Sequence, residues 1–143
     1  MRSIGVEVAA DYTFRKLRCL ANASWKRIVK NDLYKWVGDD EHYGDPTITA
    51  NATVAYQLLP TLRLHANAHY IGRRNLDDFF YPYRHAPAVI LFDLGANWSW
   101  RNLGVNVNIH NLLGTQYWQS GLSTFYNVPQ QRRWFLVELT YKI

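Results

Sequence analysis

Apolar and polar residues alternate along most of this 143-residue chain. In one stretch, for example, Leu62 and Leu64 take alternate positions, and Arg63 and His65 take the positions between them. We call the first set of positions in each strand its apolar parity and the second set its polar parity. A period of two is typical of a β-strand whose two faces meet different environments. The same alternation predicts seven strands, and no helical period competes with them. The predicted strands cover residues 4–14, 17–26, 47–58, 62–72, 90–100, 103–110 and 132–143.

The connections between the predicted strands alternate between short and long. Strands one and two meet at FRKL, three and four at LLPT, and five and six at WRNLG, which are all typical of tight hairpin turns. The segments between these pairs, residues 29–46, 73–88 and 112–129, are each longer than an ordinary loop. Short turns along one edge and long loops along the other are the plan of an antiparallel, up-and-down outer-membrane β-barrel, in which the short turns are periplasmic.

Aromatic residues make up 15% of the sequence, and their positions test this interpretation. Two groups lie on the apolar parity, near the two ends of the predicted strands. The group at the short turns comprises Tyr12, Phe14, Tyr56, Trp98, Trp100 and Tyr141, and the group at the long loops comprises Trp25, Tyr70 and Phe135. Two aromatic girdles at the two membrane interfaces are expected of a transmembrane barrel. A soluble β-sandwich also shows alternating apolar and polar residues. It does not, however, place aromatic residues at the strand ends and aliphatic residues in the middle.

Composition and charge argue against several other classes of protein. The net charge is +5, but the basic residues are scattered among acidic ones, which disfavours a nucleic-acid partner. The single cysteine, Cys19, allows no internal disulfide and no CxxC motif. No run of roughly 18 or more apolar residues predicts a transmembrane helix. The start, MRSIGVEV, does not resemble a signal peptide, so either the protein is cytoplasmic or the start of a longer parent chain is missing.

The number of predicted strands favours a longer parent chain whose start is missing from this sequence. Bacterial single-chain barrels have an even number of strands. A seven-stranded open sheet would leave two edges of unpaired backbone groups in hydrocarbon, and each unsatisfied group is costly there. We therefore expect that strands outside this sequence complete the sheet.

Four motifs resemble those of TonB-dependent outer-membrane receptors, in the order in which that family carries them. GVEVAADYTF is similar to the family's GvE.ea.Y strand, and RRNLDDFFYP followed by FDLGANWSW is similar to the loop and strand before its NL segment. NIHNLLGTQYWQSG is similar to that segment, kNLfdkkY, and YNVPQQRRWFLVELTYKI is similar to the closing strand, Y.PGR.f..gl.ykF. The resemblance implies that residues 1–143 are the C-terminal segment of a transmembrane barrel of about 22 strands. The plug domain and the earlier strands have no counterpart in the sequence.

The resemblance also implies a location, a function and partners. Such receptors lie in the bacterial outer membrane and take up a scarce nutrient, such as a ferric siderophore, with the help of the TonB complex. The expected partners are the lipid bilayer, lipopolysaccharide, the remaining barrel strands and plug, and the TonB complex through that plug. The chain departs from the closing motif at Gln130, where Gly is usual, and at Ile143, where Phe is usual. Because the terminal strand of the family is read during barrel assembly, both departures bear on assembly.

Candidate ligand-binding residues lie on the three long loops. Ligand capture by such a receptor takes place where the loops and the upper lumen converge, and loops often carry recognition. These segments combine aromatic rings with cations, which suits an anionic, partly aromatic ligand. The candidates are Trp36, Tyr43, Arg73, Arg74, Tyr81, Tyr83, Arg84, Trp118 and Tyr126. Alternatively, these side chains contact the membrane interface and lipopolysaccharide phosphates. Asn111 and Leu112 are expected to shape the upper end of the sixth strand rather than to touch substrate.

Two metal-site candidates are weaker. His65 and His69 share a face of the fourth strand, but a metal site needs at least one more converging ligand. Acidic residues cluster in GDDEHYGD, residues 38–45, but without the spacing of a calcium loop. We therefore expect lumenal polar residues and a solvated loop here, with no metal and no cofactor.

An enzymatic function is also disfavoured. Asp77 or Asp78 with His85 could form the acid and base of a barrel enzyme, because such enzymes place reactive pairs at the rim. No known spacing of Ser, His and acid is present, so we do not expect an enzyme. The main alternative to a receptor is a small or composite outer-membrane barrel with a porin-like or structural role.

Overall fold

Eleven β-strands are present in the computed structural model, which describes residues 2–30, 45–75, 85–120 and 127–143. They are β1 (Arg2–Phe14), β2 (Leu17–Lys30), β3 (Ile48–Leu59), β4 (Leu62–Ile71), β5 (Arg74–Asn75), β6 (His85–Ala86), β7 (Val89–Trp100), β8 (Leu103–His110), β9 (Trp118–Ser120), β10 (Asn127–Pro129) and β11 (Trp134–Tyr141). Seven of them, β1, β2, β3, β4, β7, β8 and β11, form one antiparallel sheet in which spatial order follows chain order. The seven predicted strands are confirmed. Within the described ranges, no helix is long and apolar enough to cross a membrane.

The four short strands form two separate two-stranded ribbons within the long connections. β5 pairs with β6 in the second long segment, and β9 pairs with β10 in the third. The alternation does not predict these ribbons, because pairings of two or three residues are too short to show a period of two. β2 also runs past its predicted end at Lys26 to Lys30, across a register irregularity opposite Arg2 and Ser3.

Most apolar residues of the seven strands lie on one side of the sheet, and directly opposed residues share a face. One row of successive partners crosses all seven strands: Tyr12, Cys19, Val54, Ala66, Leu94, Ile109 and Phe135. We call this side the apolar face and the other side the polar face. The apolar face is widely exposed, with Leu139 at 74%. Among the described residues, the buried apolar side chains are Ala55, Ala86 and Val89, so the chain has little core of its own.

The two ends of the sheet differ in the length of their connections. At the turn edge, short turns at Arg15–Lys16, Pro60–Thr61 and Arg101–Asn102 join β1 to β2, β3 to β4 and β7 to β8. Arg15 and Arg101 have positive φ angles of 52° and 50°. The long segments leave from the opposite end, the loop edge. The predicted hairpin turns are therefore confirmed.

Candidate functional site on the polar face

Hydrogen bonds between side chains of neighbouring strands run across the polar face. Asn51 Nδ2 donates to Asn22 Oδ1 at 2.8 Å, and Asn51 Oδ1 accepts from His69 Nδ1, so β2, β3 and β4 are linked. Farther along the same face, between β8 and β11, Asn106 Nδ2 donates to Glu138 Oε2 at 2.7 Å. Because such bonds restrict side-chain rotamers, the polar face presents an ordered set of amides, imidazoles and carboxylates.

A glycine in β7 allows two polar side chains to meet across that strand. His65 of β4 and Asn108 of β8 are the partners of Gly95 on its two sides. His65 Nε2 donates to Asn108 Oδ1 at 3.0 Å, and His65 Nδ1 accepts from Asn97 Nδ2 at 3.3 Å. A Cβ on residue 95 would collide with the imidazole and with the amide oxygen. The missing side chain therefore makes room for a bridge from β4 to β8.

A carboxylate, an imidazole and an indole meet near the loop edge of the polar face. Asp93 Oδ2 lies 3.3 Å from His110 Nδ1. The His110 ring stacks on Trp134, with ring centroids 4.0 Å apart and an interplanar angle of 16°. These contacts join β7, β8 and β11 and orient the indole. None of these three residues was among the predicted site residues, although their positions on the polar face in the loop-side halves of their strands are a signal that could have indicated them.

Asn111 holds the loop that leaves β8. It is 5% exposed and has a positive φ of 49°. Its Nδ2 donates to the carbonyls of Thr115 at 2.8 Å and Gln131 at 3.2 Å, and its Oδ1 accepts from the Thr115 N–H at 2.9 Å. The Asn111 N–H donates to Asp93 Oδ1 at 2.8 Å. The expectation that Asn111 shapes the upper end of the sixth strand is confirmed.

These contacts frame a pocket near the loop edge, which we call the upper pocket. Its volume is about 320 Å³. The lining residues are His69, Leu91, Asp93, His110, Asn111, Tyr117, Gln130, Gln131 and Trp134. Two imidazoles, a phenol and an indole offer flat surfaces together with N–H and O–H donors. Such a lining suits a ligand that has planar rings and hydrogen-bond acceptors.

Arg74 is buried at the loop edge, with only 4% of its surface exposed. It belongs to β5, where its partner is Ala86 of β6. Its Nε has no hydrogen-bond partner among the described residues. Burial lowers the pKa of the Arg74 guanidinium, and the electrostatic influence of Tyr117 opposes that change. Since arginine stays protonated in proteins, a fixed positive charge lies beside a residue of the upper pocket.

The structure describes three of the nine predicted ligand-binding residues. Arg73 is exposed, Arg74 is buried, and Trp118 of β9 is half-exposed. These three side chains do not line the upper pocket, although Arg74 adjoins it through Tyr117. The other six lie outside the described residues: Trp36, Tyr43, Tyr81, Tyr83, Arg84 and Tyr126. Their role in ligand binding stays a prediction.

The predicted interface aromatics all have the parity of the apolar face. The strand registers place Tyr12, Phe14, Tyr56, Trp98, Trp100 and Tyr141 near the turn edge, and Trp25 and Tyr70 near the loop edge. The rings of Trp98 and Trp100 stack with their centroids 6.4 Å apart. Aromatic residues therefore lie near both edges of the sheet, as expected, while their contact with a membrane stays a prediction.

The candidate metal ligands and catalytic residues either have hydrogen-bond or ion-pair partners or lie outside the described residues. Both candidate histidines of β4 hydrogen bond to asparagines. Asp45, at the end of the acidic cluster, pairs with Lys26, with 2.9 Å between Oδ2 and Nζ. In the ranges that the structure describes, no three His, Cys, Asp or Glu side chains converge. Residues 38–44 and the candidates Asp77 and Asp78 lie outside those ranges.

The topology and the two unlike faces define the class of fold. A meander of antiparallel strands with short turns at one edge and long loops at the other is the architecture of a transmembrane β-barrel, of which this sheet forms a segment. Among solved structures, the chain is similar to the siderophore receptor PiuA from Acinetobacter baumannii, with a TM-score of 0.79 and 18% identity. It is also similar to BauA, the ferric preacinetobactin receptor of the same organism (0.78 and 17%), and to the ferric-catecholate import receptor Fiu from Escherichia coli K12 (0.77 and 20%).

These similarities cover nearly all of this chain but a small part of each receptor. The matches include 97%, 97% and 96% of the chain and 21%, 22% and 20% of PiuA, BauA and Fiu, so the chain spans about one fifth of their length. No family model and no curated protein sequence matches the chain. At such low identity the likeness establishes the fold, and the fold implied by the resemblance to TonB-dependent receptors is confirmed. All three neighbours are receptors rather than enzymes.

Proposed function

We propose that this chain forms part of the wall of an outer-membrane receptor that takes up a scarce nutrient, such as a ferric siderophore, in a TonB-dependent manner. The observation that carries the proposal is the match of nearly the whole chain to three receptors, each named for a siderophore or a ferric complex. In this proposal the apolar face contacts lipid and the polar face lines the lumen. The remaining strands and the plug belong to the same receptor, and the long loops face the ligand and lipopolysaccharide.

The chemistry of the upper pocket supports this function. A ferric catecholate complex is an anion with flat aromatic rings. The indole of Trp134, held by the stacked ring of His110, offers a surface on which such a ring can lie. Tyr117 can donate a hydrogen bond to a catecholate oxygen through its hydroxyl group, and the positive charge of Arg74 lies beside Tyr117. The pocket also lies near the loop edge, where a ligand from outside would arrive.

Binding of a defined probe tests the proposed site. The chain is produced in a Gram-negative host within the complete assembly that closes its sheet, and the outer-membrane fraction is titrated with a radiolabelled ferric tris-catecholate complex. We expect saturable binding that weakens about tenfold in the variant Tyr117→Phe/His110→Gln, because the loss of one hydrogen bond and of the ring that holds Trp134 corresponds to roughly that factor. His65→Gln is the matched control, because His65 lies on the same face but outside the upper pocket.

Two results would contradict the proposal. The first is a protein that is made and folded but fractionates away from the outer membrane. The second is a membrane-bound protein whose binding of the probe is equally affected by the pocket variant and by His65→Gln.

The orientation of the sheet can be tested separately. Cysteines at Arg73, on the loop edge, and at Asn102, on the turn edge, are introduced one at a time in a Cys19→Ser background. We expect an impermeant maleimide to label Arg73→Cys on intact cells and to spare Asn102→Cys until the outer membrane is permeabilised. The opposite pattern would place the short turns outside the cell and overturn the assigned orientation.

A further inference from the structure

Two hairpins of the sheet share an unusual turn. β1–β2 and β7–β8 each turn through two residues, and the first of the two is an arginine with positive φ: Arg15 at 52° and Arg101 at 50°. In each hairpin the guanidinium lies over the aromatic ring of the preceding residue. The Cζ of Arg15 is 5.2 Å from the ring centroid of Phe14, and the Cζ of Arg101 is 5.0 Å from that of Trp100.

The positive φ makes arginine an uncommon choice at these positions. Two-residue hairpin turns strongly favour Gly, Asn or Asp where φ is positive, because a longer side chain crowds the backbone there. Two hairpins that are distant in sequence nevertheless carry arginine at the same place, in the same conformation and over the same kind of ring. An arginine at such an unfavourable backbone conformation indicates that its side chain, and not the shape of the turn, has a function.

The charge of the turn edge is consistently positive. The turns and the strand ends beside them, residues 12–17, 57–63, 98–104 and 139–143, contain five cations and no Asp or Glu. These cations are Arg15, Lys16, Arg63, Arg101 and Lys142. The nearest carboxylates along these strands lie on the polar face and have partners of their own, Arg18 for Asp11 and Asn106 for Glu138. The edge therefore attracts an anion and offers no acidic competitor for the two turn arginines.

The rings beneath the guanidinium groups indicate where that anion lies. Phe14 and Trp100 are on the apolar face and are 54% and 55% exposed. Aromatic residues at the end of a membrane-spanning strand sit at the level of the lipid headgroups. A cation held over the face of such a ring is placed at the level of the lipid phosphates, and cation–π attraction keeps the guanidinium oriented before a lipid arrives.

We propose that the turn edge binds the phosphate groups of anionic phospholipids, with one lipid at the Phe14–Arg15 turn and another at the Trp100–Arg101 turn. This inference rests on the proposed function, because it requires that the strands span a membrane. The guanidinium donates two parallel hydrogen bonds to the phosphate oxygens, a geometry that arginine provides and a point charge does not. The two hairpins are four strand spacings apart, about 19 Å, so each turn takes a separate lipid molecule.

Lipid enrichment tests the proposal on the protein in the assembly that it forms in the outer membrane. The extracted protein is reconstituted with equal amounts of phosphatidylglycerol and phosphatidylcholine, re-extracted in mild detergent, and its co-purified lipids are quantified. We expect phosphatidylglycerol to be enriched at least twofold over phosphatidylcholine, within the roughly fivefold preference that one basic residue confers near an anionic surface. In the variant Arg15→Asn/Arg101→Asn the ratio should fall toward one. Asparagine suits the positive φ, so the turns are kept while the cations are lost.

Two controls separate the turn arginines from charge in general. Arg18→Gln/Arg63→Gln removes the same number of charges from the same end of the sheet but from the polar face, and it should keep the enrichment. Arg15→Lys/Arg101→Lys keeps the charge but loses the paired N–H donors of the guanidinium. It should give an intermediate ratio of phosphatidylglycerol to phosphatidylcholine. An equal fall in both double neutralisations, or no enrichment in the unaltered protein, would overturn the lipid site. A protein that does not reach the membrane at all would overturn the proposed function and this inference with it.

Discussion

The apolar and polar faces of the sheet are built from the same strands, but different interactions specify them. On the apolar face, opposed residues such as Val107 and Val137 meet only through aliphatic surface. One step along the strand, on the polar face, Asn106 and Glu138 are joined by a hydrogen bond with a defined donor and acceptor. The apolar face therefore requires only that its residues be apolar, whereas the polar face requires particular partners at particular places.

This difference predicts opposite sensitivities to substitution. The apolar face should tolerate changes of shape and reject charge, since aliphatic residues of similar size replace one another at small cost. The polar face should tolerate charge where water reaches it and reject the loss or crowding of a hydrogen-bonded partner. The substitutions below test these expectations in the complete, membrane-inserted assembly, with the free energy of unfolding measured by urea titration.

The largest expected effect is that of a charge on the apolar face. Leu94 lies in the middle of β7, between Ala66 and Ile109. Leu94→Arg should lower the free energy of unfolding by roughly 2–4 kcal/mol, the usual cost of arginine at the midplane of a barrel wall. Asn97→Arg, on the polar face of the same strand, should cost much less, because in the proposed receptor water reaches the polar face and the guanidinium can replace the donor to His65.

The control for this pair is Leu94→Ile, which changes shape without polarity and should cost less than about 1.5 kcal/mol. Equal losses for the two arginine variants would show that the faces do not meet different environments, and the membrane-spanning interpretation would then be wrong.

The next effect is the loss of a hydrogen-bonding hub on the polar face. Asn111→Ala removes three side-chain hydrogen bonds to Thr115 and Gln131 and leaves the Thr115 N–H and the two carbonyls without these partners. We expect a loss of about 2–3 kcal/mol. Asn111→Gly adopts the positive φ more readily but loses the same bonds, so it should be nearly as unstable. A fully stable glycine variant would mean that backbone conformation, and not bonding, explains the residue.

A smaller effect is expected from crowding the same face. Gly95→Ala places a methyl group against His65 and Asn108, and overpacking of this kind typically costs about 1–3 kcal/mol. Removing the imidazole as well should relieve part of the collision. The double variant Gly95→Ala/His65→Ala should therefore lose less stability than the sum of its single variants. Strict additivity would show that the glycine and the histidine are independent.

The smallest effect is expected at an exposed ion pair. Arg18 donates to both oxygens of Asp11, at 3.3 and 2.8 Å, but both side chains are open to solvent. Water screens such pairs. Arg18→Gln should leave urea unfolding unchanged within error at physiological salt. A clear loss that disappears at high salt would show that this end of the polar face is less hydrated than its exposure indicates.

The contrast between the faces also explains what the sequence could predict. A period of two depends only on the kind of residue at each position, so the seven strands, their faces and the two heights of aromatic residues follow from the alternation. The short turns follow as well, because each lies between two well-marked strands. The sequence also indicates that Asn111 shapes the end of its strand, and its hydrogen bonds confirm this role.

The specific contacts could not be predicted, because they depend on register between strands. Nothing near Asp93 in the sequence indicates that it meets His110, or that the ring of His110 meets Trp134, which is 24 positions further along the chain. The bridge over Gly95 likewise requires knowledge of both neighbouring strands. The two short ribbons escaped prediction for a related reason, since their pairings are shorter than any recognisable pattern.

The odd number of strands in the sheet has a consequence for assembly. β1 and β11 are the first and seventh strands of a meander, so they point the same way. Copies of this chain arranged around an axis along the membrane normal would therefore bring β11 of one copy beside β1 of the next in parallel, which an all-antiparallel wall does not allow. Antiparallel closure instead requires an insert whose own two outer strands both run opposite to β1 and β11, and such an insert must contain an odd number of strands. Among chains that share one orientation across the membrane, strand direction thus excludes a second copy and selects a different polypeptide segment as the complement of this sheet.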